Sequence, residues 1–309
     1  MYLVKDLYEK HQHYLKLELV AGKIGINKKI RVPEAQRPGL SLSGYLEHHA
    51  DKCILVFGKV EIEYLQHLKA TVRVKRLEAI LNTSIPAVFV ARNYSPPKEL
   101  EFLCEKYQIP LFRSHLATMD FLSKLMMLLM DEFAPSLTYH GTLVEIFGIG
   151  VLLQGESSIG KSEAALGLIE RGHRLITDDV VRIKKKIEDY LEGTGAISMQ
   201  HHLEIRGLGI LNIANLYGVA SICKRKKIDI VVSLEKWQEN YFYDRVGLEE
   251  KFITILEISV PHVILPVNPN RDIVLLLETI ALNYQLKQMG YHSAQEFIHK
   301  VVKRVRARK

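Results

Sequence analysis

The chain has 309 residues, of which 48% are hydrophobic and 25% charged, with a formal net charge of +7. This composition is typical of a soluble globular protein with a substantial core. The sequence has no run of eighteen apolar residues and no apolar signal core at its start, so we expect neither a membrane span nor a secretion signal. Cys53, Cys104 and Cys223 are few and widely spaced, which favours the reducing cytoplasm and offers no disulfide framework or zinc spacing.

The first part of the chain alternates strand-like and helical patterns, which predicts a small α/β domain with a mostly parallel sheet over residues 1–133. The run "RPGLSLSGYL" indicates a turn followed by a helix or strand. We interpret the methionines of the apolar helix predicted over residues 118–134 as core or interface filler. The predicted elements are strands in 53–65, 85–92 and 109–113, and helices in 96–108 and 118–134.

The pattern breaks at residues 134–136, and we predict a second α/β domain over 134–309. Residues 139–155 read as two strands joined by a turn at 148–150. A helix over 161–171 and a strand over 174–177 follow. A long helix begins near residue 271 and is closed by Gly290. Ser293, with Glu296 three residues later, predicts the start of a final helix with a basic end, which either is a solvated face or binds a partner.

Residues 155–162 follow the buried strand that ends the segment 139–155 and precede a helix. They match the phosphate-loop pattern G-x-x-x-x-G-K-[ST]. Consecutive backbone N–H groups at a helix N-terminus bind phosphate oxygens. The lysine of such a loop places a point charge on the outer phosphates, and its serine hydroxyl is a ligand for Mg²⁺. The nucleotide-binding residues predicted here are Gly155, Glu156, Ser157, Ser158, Ile159, Gly160, Lys161 and Ser162.

Two adjacent carboxylates, Asp178 and Asp179, follow the predicted strand 174–177. Ligands of open α/β sheets bind at the carboxyl ends of strands. A pair of aspartates alone indicates a turn or a cap, but their position soon after the phosphate loop favours catalysis. One would position Mg²⁺ or its waters, and the other would accept a proton from an incoming hydroxyl.

Further polar residues stand in turns beside these motifs. His140 precedes the strand pair, and Arg245 stands alone in "YDRVGLEE". Glu204 and Arg206 sit in a loop with Gly207 and Gly209, which can bring an acid to a metal and an arginine to phosphate. Arg271 ends a turn that contains Pro266, Pro269 and Asn270. Taken singly, the histidine is as well explained by a structural role and each arginine by a surface ion pair.

Together these motifs resemble the bacterial HPr kinase/phosphorylase family over nearly the whole chain. The resemblance rests on "RPGLSLSGYL" and "FGKVEI" in the first domain. In the second it rests on "HGTLVEIFGIGVLLQGESSIGKSEAALGLIERGHRLITDD", "LEIRGLGILNI", "DR" and "PVNPNR". It implies a catalytic domain similar to the phosphoenolpyruvate carboxykinase core, in agreement with the absence of the H-R-D and D-F-G motifs.

The family resemblance also implies an activity and its setting. These enzymes use ATP and Mg²⁺ to phosphorylate a serine of HPr, the phosphocarrier of the sugar phosphotransferase system. In reverse they use inorganic phosphate and yield pyrophosphate. Through these two reactions they control the phosphotransferase system and carbon metabolism. The resemblance implies a cytoplasmic homo-hexamer whose C-terminal helix engages HPr, with no membrane and no nucleic acid as partner.

By motif position, the family's catalytic residues fall on His140, Lys161, Asp179 and Arg245. Its Mg²⁺ ligands fall on Ser162 and Glu204. The sequence departs from the family where Ser158 replaces a usual glycine. It departs again where Asn270 replaces the middle glycine of a Pro-Gly-Arg turn linked to the reverse reaction.

Three other functions remain open from the residues alone. A small-molecule kinase would phosphorylate a metabolite without a protein acceptor. An ATPase working on nucleic acid would show turnover stimulated by single strands and a steep salt dependence. A nucleotide-sensing assembly module would bind nucleotide without transfer.

Overall fold

A computed structural model describes residues 2–47, 52–196, 201–238, 250–268 and 271–306. The chain divides into two compact units, Met1–Phe133 and Ala134–Lys309. Each unit has its own hydrophobic cores. Among the described residues, no helix is both long enough and apolar enough to cross a lipid bilayer.

The N-terminal unit contains short strands alternating with helices, as the sequence pattern predicts. Its strands are β1 (Tyr2–Leu3), β2 (Leu17–Ala21), β3 (Lys29–Ile30), β4 (Ala35–Gln36), β5 (Ile54–Phe57), β6 (Val88–Val90) and β7 (Leu111–Ser114). Its α-helices are α1 (Val4–Leu15), α2 (Gly39–Ser43), α3 (Lys59–His67), α4 (Ala70–Ile80), α5 (Lys98–Lys106) and α6 (Thr118–Phe133).

A five-stranded sheet in the order β2-β7-β6-β5-β4 forms the centre of this unit. The strands β4 to β7 are parallel and the edge strand β2 is antiparallel, so the predicted mostly parallel sheet is confirmed. Alternate strand residues face two separate cores. One core packs against α2 to α5 and the other against α1 and α6, which gives the helix–sheet–helix layering of an α/β domain.

The prediction of a strand over residues 53–65 is wrong for its second half. The strand ends at Phe57, and the helix α3 begins at Lys59. The Glu61 carboxylate turns back and accepts the backbone N–H of Gly58 at 2.9 Å, which satisfies one of the free donors at the helix start. Ile62 and Leu65, three residues apart, are fully buried on one helical face. The alternating apolar residues of "KVEIEYL" therefore obscured a helical spacing.

The methionines of α6 do not all fill the core. The buried face of this helix consists of Phe121, Leu125 and Leu129. Met119 and Met127 are more than half exposed, at 65% and 61%. The core alternative is therefore wrong for Met119 and Met127, and the interface alternative stays a prediction.

The C-terminal unit contains twelve strands and four α-helices within the described residues. The strands are β8 (Ser136–His140), β9 (Thr142–Ile146), β10 (Ile149–Gly155), β11 (Arg174–Thr177), β12 (Val180–Lys185), β13 (Leu191–Gly195), β14 (His202–Ile205), β15 (Gly209–Asn212), β16 (Arg225–Lys227), β17 (Ile230–Lys236), β18 (Lys251–Ile255) and β19 (Ile258–Val267). The helices are α7 (Lys161–Glu170), α8 (Ile213–Tyr217), α9 (Ile273–Gln288) and α10 (Ser293–Arg306). Gly290, with φ of +85°, follows the end of α9 as predicted.

Two sheets stack in this unit. The larger has the order β11-β9-β10-β17-β19-β18, and the smaller has the order β16-β13-β12-β8. One core lies between the sheets and includes Leu152, Val181 and Val231. The other lies on the opposite face of the larger sheet, where Val151 and Val232 pack with residues of α7 and α9. The larger sheet is therefore buried on both faces.

The turn between β9 and β10 lies at Phe147 and Gly148, earlier than the predicted 148–150. Both residues have positive φ, at 49° and 82°, as a two-residue hairpin turn requires. Gly150 belongs to β10 instead. A Cβ at this position would lie 1.8 Å from the carbonyl oxygen of Lys227, so the glycine permits a close approach of two backbones.

The three central strands β10, β17 and β19 run parallel. Their carboxyl ends therefore meet at one edge of the sheet, where ligands of such sheets bind. Three segments begin at this edge: the loop after Gly155, the chain after Lys236 and the turn after Val267.

Replacing Glu61 with alanine is expected to lower the free energy of unfolding by about 2 kcal/mol, because it removes a helix cap and a buried acceptor. Glu61 is only 3% exposed and also accepts from Arg37 at 2.9 Å. Thermal and urea unfolding of the full chain measure this change. Glu63→Ala is the matched control, because Glu63 on the same helix forms only an exposed i,i+4 pair with Lys59, and the expected loss is about 0.5 kcal/mol or less. Equal losses in the two variants would contradict the assigned role of Glu61.

Candidate active site

The phosphate-loop sequence forms a tight turn between the end of β10 and the start of α7. Gly155 has φ of +146°, and a Cβ there would lie 2.5 Å from the carbonyl oxygen of Leu234 on β17. Gly160 has φ of +102° and is the N-cap of α7. Both conformations favour glycine, so these two residues determine the path of the loop. The loop presents the N-terminus of α7 at the sheet edge, where the helix dipole attracts anions.

Ser158 lies in this loop with φ of +69°. The left-handed region is unfavourable for a serine because its Cβ crowds the following carbonyl oxygen. The position therefore has the backbone conformation that glycine favours. The departure from the family pattern noted in the sequence is a source of backbone strain.

The Lys161 ammonium folds back over the loop. It donates to the carbonyl oxygens of Gly155 and Glu156, at 3.0 Å in each case. Both acceptors lie in the loop itself, so the charge sits above the turn and close to the N-terminus of α7. A phosphate group bound in the loop would lie within reach of this charge.

Asp178 is the buried carboxylate of the site, with 6% exposure. Its Oδ2 accepts the Ser162 hydroxyl at 2.8 Å, and its Oδ1 accepts the Thr142 hydroxyl at 2.6 Å. These bonds join the end of β11 to the first turn of α7 and to the first residue of β9. Burial raises the pKa of Asp178 above its ordinary value, although both hydroxyl donors act in the opposite direction.

Asp179 differs from its neighbour in exposure and conformation. It is exposed and has φ of +62°. Its carbonyl oxygen accepts the backbone N–H of Gly141 at 3.1 Å. His140, also exposed, pairs in register with Val180 across β8 and β12. The backbone thus places His140 and Asp179 at adjoining strand ends.

The β14–β15 hairpin brings a second set of predicted residues to the phosphate loop. The Arg206 guanidinium donates to the Ser157 hydroxyl at 3.3 Å. The turn contains Gly207 and Gly209, with φ of +87° and +85°. Glu204 is exposed on β14, while Leu203 on its other side shares a core with residues of α7.

The turn after β19 contributes Arg271. Its guanidinium lies over the ring of Trp237, with 5.4 Å from Cζ to the ring centroid. Trp237 follows β17, and its backbone N–H donates to the carbonyl oxygen of Val267 at 3.1 Å. Pro266 is buried within β19. Arg245, Pro269 and Asn270 lie outside the described residues, so their predicted roles remain predictions.

Sequence reasoning missed Thr142 and Trp237. Threonine in a strand is common, and only the folded chain brings Thr142 next to Asp178. Trp237 is the single tryptophan of the chain, which is a signal that could have drawn attention to the segment. Its partner Arg271 lies far along the sequence, and only the parallel pairing of β17 with β19 brings them together.

Comparison with protein families identifies the chain. The model described as "HPr Serine kinase N terminus" matches residues 3–129, and the model described as "HPr Serine kinase C-terminal domain" matches residues 131–301. The chain belongs to the HPr serine kinase family. The resemblance seen in the sequence is therefore confirmed, and the family is one of enzymes. The mixed α/β fold expected from the resemblance is confirmed as well.

Curated relatives of the HPr serine kinase family match over almost the full chain. A protein of Geobacter sulfurreducens named HPr kinase/phosphorylase is 41% identical over 99% of this chain and 96% of its own. One of Treponema pallidum with the same name is 43% identical over 95% and 92%. The solved structure of an Hpr(Ser) kinase/phosphatase from Coxiella burnetii is 34% identical and covers 52% of this chain and 98% of its own, with a TM-score of 0.48.

The two predicted magnesium ligands lie on α7 and on the β14–β15 hairpin. The oxygen atoms of Ser162 and Glu204 are hard ligands of the kind that Mg²⁺ prefers, and Asp178 accepts the Ser162 hydroxyl beside them. No group of three or more His, Cys, Asp or Glu side chains within the described residues could hold a metal without further ligands.

Replacing Ser158 with glycine is expected to raise the free energy of unfolding by up to about 1 kcal/mol, because it removes left-handed strain. The neighbouring Ser157 has no positive φ, so Ser157→Gly is expected to lower stability by about 0.5–1 kcal/mol, through the entropy of the unfolded chain and the loss of its hydrogen bond from Arg206. Thermal unfolding of the two variants without nucleotide measures the difference. A loss of stability in Ser158→Gly as large as that in Ser157→Gly would contradict the assignment of strain.

Proposed function

We propose that this chain phosphorylates a serine of the phosphocarrier protein HPr with ATP and Mg²⁺, and removes the same phosphoryl group with inorganic phosphate to give pyrophosphate. The relatives that match the full chain are named for kinase and phosphorylase activity on HPr. In this proposal ATP is the co-substrate of one direction, and phosphate and pyrophosphate belong to the other.

The observation that carries the proposal is the position of two carboxylates beside the phosphate loop. Asp178 is hydrogen-bonded to Ser162 at the start of α7, and Asp179 follows it on the exposed side. Phosphoryl transfer to a hydroxyl needs a cradle for the phosphates and a base for the hydroxyl proton within one pocket. A pocket that only bound nucleotide would have no use for an exposed carboxylate at this position.

In the forward direction the serine oxygen of HPr attacks the γ-phosphorus of ATP. The bond from this phosphorus to the bridging oxygen breaks, ADP leaves, and Asp179 takes the serine proton. Lys161 and the backbone N–H groups of the loop hold the phosphates. His140 and Arg245 are assigned to the charge that spreads over the transferring group.

In the reverse direction an oxygen of inorganic phosphate attacks the phosphorus of phosphoserine. The bond to the serine oxygen breaks and pyrophosphate forms. Asp179 then returns a proton to the serine oxygen. Arg271 and the turn that follows Val267 are assigned to this direction, so the effect of Asn270 falls on the phosphorylase activity.

Ser162 and Glu204 are assigned as protein ligands of Mg²⁺, which supplies electrostatic stabilisation of the phosphate charge when it is bound. Asp178 is then a partner of the Ser162 hydroxyl that orients it toward the ion. Arg206, with Gly207 and Gly209, is assigned to hold the hairpin against the phosphate loop, because its guanidinium already contacts Ser157.

The remaining parts of the proposal follow the family. We assign the reaction to the cytoplasm and to control of the sugar phosphotransferase system and carbon metabolism. We assign the assembly as a homo-hexamer, residues 1–133 as an assembly or regulatory domain, and residues 134–309 as the kinase/phosphorylase domain similar to the phosphoenolpyruvate carboxykinase core. The expected partner is HPr, with neither membrane nor nucleic acid involved.

A transfer assay with purified HPr, Mg²⁺ and labelled ATP tests the proposal, with the modified residue located by mass spectrometry. Inorganic phosphate is then added to the product. We expect phosphoserine on HPr, followed by its loss with release of pyrophosphate. Transfer without reversal would restrict the function to the kinase direction, and Asn270→Gly would then test the turn. Absence of transfer to HPr would contradict the proposal and favour a small-molecule kinase or a nucleotide-sensing module.

Asp179→Asn is expected to lower the rates of both directions by about 10²–10⁴, because asparagine cannot take up or return the proton. Asparagine tolerates the left-handed backbone, so the fold should persist. Asp189→Asn is the matched control, because Asp189 is also exposed and has φ of +54° but lies in the turn after β12. Its rates should stay within about twofold of the unmodified chain. An Asp179→Asn protein that keeps both activities would exclude the assigned base.

A further inference from the structure

A row of four polar side chains crosses the space between the two sheets of the C-terminal unit. Tyr139 comes from β8, Gln154 from β10, Ser233 from β17 and His262 from β19. Ser233 is 6% exposed, and the other three are half-buried. Their strand neighbours two residues away, such as Leu152 and Val231, belong to the core between the sheets. Polar groups in such a place must be hydrogen-bonded to offset the loss of water.

The four side chains form a continuous hydrogen-bonded chain, which we call the amide relay. The Tyr139 hydroxyl donates to Oε1 of Gln154. Nε2 of Gln154 donates to the Ser233 hydroxyl oxygen at 2.5 Å. The Ser233 hydroxyl and Nε2 of His262 are hydrogen-bonded at 2.6 Å, and in the neutral tautomer that carries its proton on Nδ1 the hydroxyl is the donor. This direction requires an imidazole without a proton on Nε2, because a protonated Nε2 cannot accept the Ser233 hydroxyl.

The protonation states that this direction requires are favoured by the surroundings. Burial raises the pKa of Tyr139, so its hydroxyl remains a donor at neutral pH. Burial lowers the pKa of His262, which keeps its imidazole neutral. Two charged groups on neighbouring strands face this imidazole. Lys251 on β18 lowers the pKa further, and Glu235 on β17 raises it in part.

The Ser233–His262 pair has the atoms of a nucleophile and its base, but its setting excludes that role. Ser233 is nearly inaccessible, and its oxygen already accepts from Gln154. A substrate carbonyl or phosphorus atom could not approach it without opening the stack of sheets. The pair therefore holds the amide of Gln154 in one orientation.

Gln154 and its hydrogen-bond partner Tyr139 each precede a residue of the proposed active site in the sequence. Gln154 is bonded to Gly155, the first residue of the phosphate loop. Tyr139 is bonded to His140, which pairs with Val180 next to Asp179. The smaller sheet thus contacts the start of the phosphate loop through one side-chain hydrogen bond.

We propose that Gln154 is a positioning residue that fixes the spacing between the phosphate loop and the strand end carrying His140. Tyr139 holds its carbonyl oxygen, and the Ser233–His262 pair holds its amide nitrogen. The inference rests on the proposed function for its effect on rate, since His140 and the loop have their roles there. Misplacement of reacting groups by about 1 Å can cost about 10² in rate, so a loosened spacing should lower kcat more than nucleotide binding.

The first test compares Gln154→Met and Ser233→Ala in the full chain, with Ser221→Ala as the matched control. Ser221 is a serine of the same unit with 7% exposure, and its hydroxyl donates to the carbonyl oxygen of Gly218. We expect kcat for HPr phosphorylation to fall about tenfold in the first two variants, with KM for ATP within about twofold. Ser221→Ala should keep both constants. If Gln154→Met does not fold, Ser233→Ala decides the question. Unchanged kcat in the relay variants, or an equal loss in Ser221→Ala, would overturn the proposal.

The second test uses pH and two substitutions of the last residue of the relay. His262→Gln retains an uncharged hydrogen-bonding group on a long side chain, whereas His262→Leu removes it. In the unmodified chain kcat should fall as His262 gains a proton below its ordinary pKa of about 6.5. His262→Gln should keep kcat near neutral pH and lose this acid limb, and His262→Leu should lower kcat at all pH values. If kcat of His262→Gln still falls at low pH as it does in the unmodified chain, His262 does not act through the relay.

A third measurement does not depend on the acceptor protein. Hydrogen–deuterium exchange of the full chain without nucleotide should increase in residues 137–141 and 154–160 together in Gln154→Met and Ser233→Ala, and stay unchanged there in Ser221→Ala. If HPr is not phosphorylated by the unmodified chain, the proposed function fails while this measurement still decides the positioning role. Unchanged exchange in both segments would overturn the positioning role on its own.

Discussion

The buried carboxylate of Asp178 is the interaction on which the rest of the site depends. It accepts one hydroxyl from the start of α7 and one from the start of β9, while it is itself fixed at the end of β11. These hydrogen bonds bring together β11, α7 and β9, which are separate segments of the sequence. A carboxylate with so little exposure is stable in this place only because its oxygens are hydrogen-bonded. Loss of the carboxylate would leave two hydroxyl groups to find other partners.

Around this point the site is shaped by backbone geometry as much as by side chains. The phosphate loop contains three residues with positive φ, of which two are glycines and one is Ser158. Asp179 adds a fourth such position directly after the buried carboxylate. Left-handed residues outside glycine cost energy, and they concentrate where the chain must present groups in directions that regular strands do not allow. The site therefore combines the hydrogen-bonded carboxylate of Asp178 with neighbouring residues in strained left-handed backbone conformations.

Much of the fold could be predicted from the sequence, because strand and helix periods are local properties. The phosphate loop, α7, β11 and the closing glycine of α9 all lie where local patterns indicate. Residues 59–65 were wrongly predicted as strand, because their apolar residues are compatible with both periods, and the cap from Glu61 marks the start of the helix that they form. The exposed methionines of α6 show a related limit, since composition does not reveal which helical face is buried.

The candidate site was predictable only where one segment supplies both the residue and its context. The loop residues and the two aspartates meet this condition. Thr142, Trp237 and the members of the amide relay do not, because each acquires its partner through sheet pairing over long sequence distances. The relay contains four common residue types with no shared motif. Nothing in one sequence distinguishes them from ordinary strand residues until the strands are placed side by side.

The parallel order of β10, β17 and β19 also determines when the protein becomes complete during its synthesis. The N-terminal unit has all of its strands by residue 114 and its last helix by residue 133. The phosphate loop emerges from the ribosome soon afterwards, but β10 is paired on one side with a strand that ends only at Lys236, and that strand in turn with one that ends at Val267. Non-local strand pairing is slow and must wait for the later segments. The nascent chain therefore carries a complete N-terminal unit and a phosphate loop whose sheet is still incomplete for most of the time in which the C-terminal unit is made.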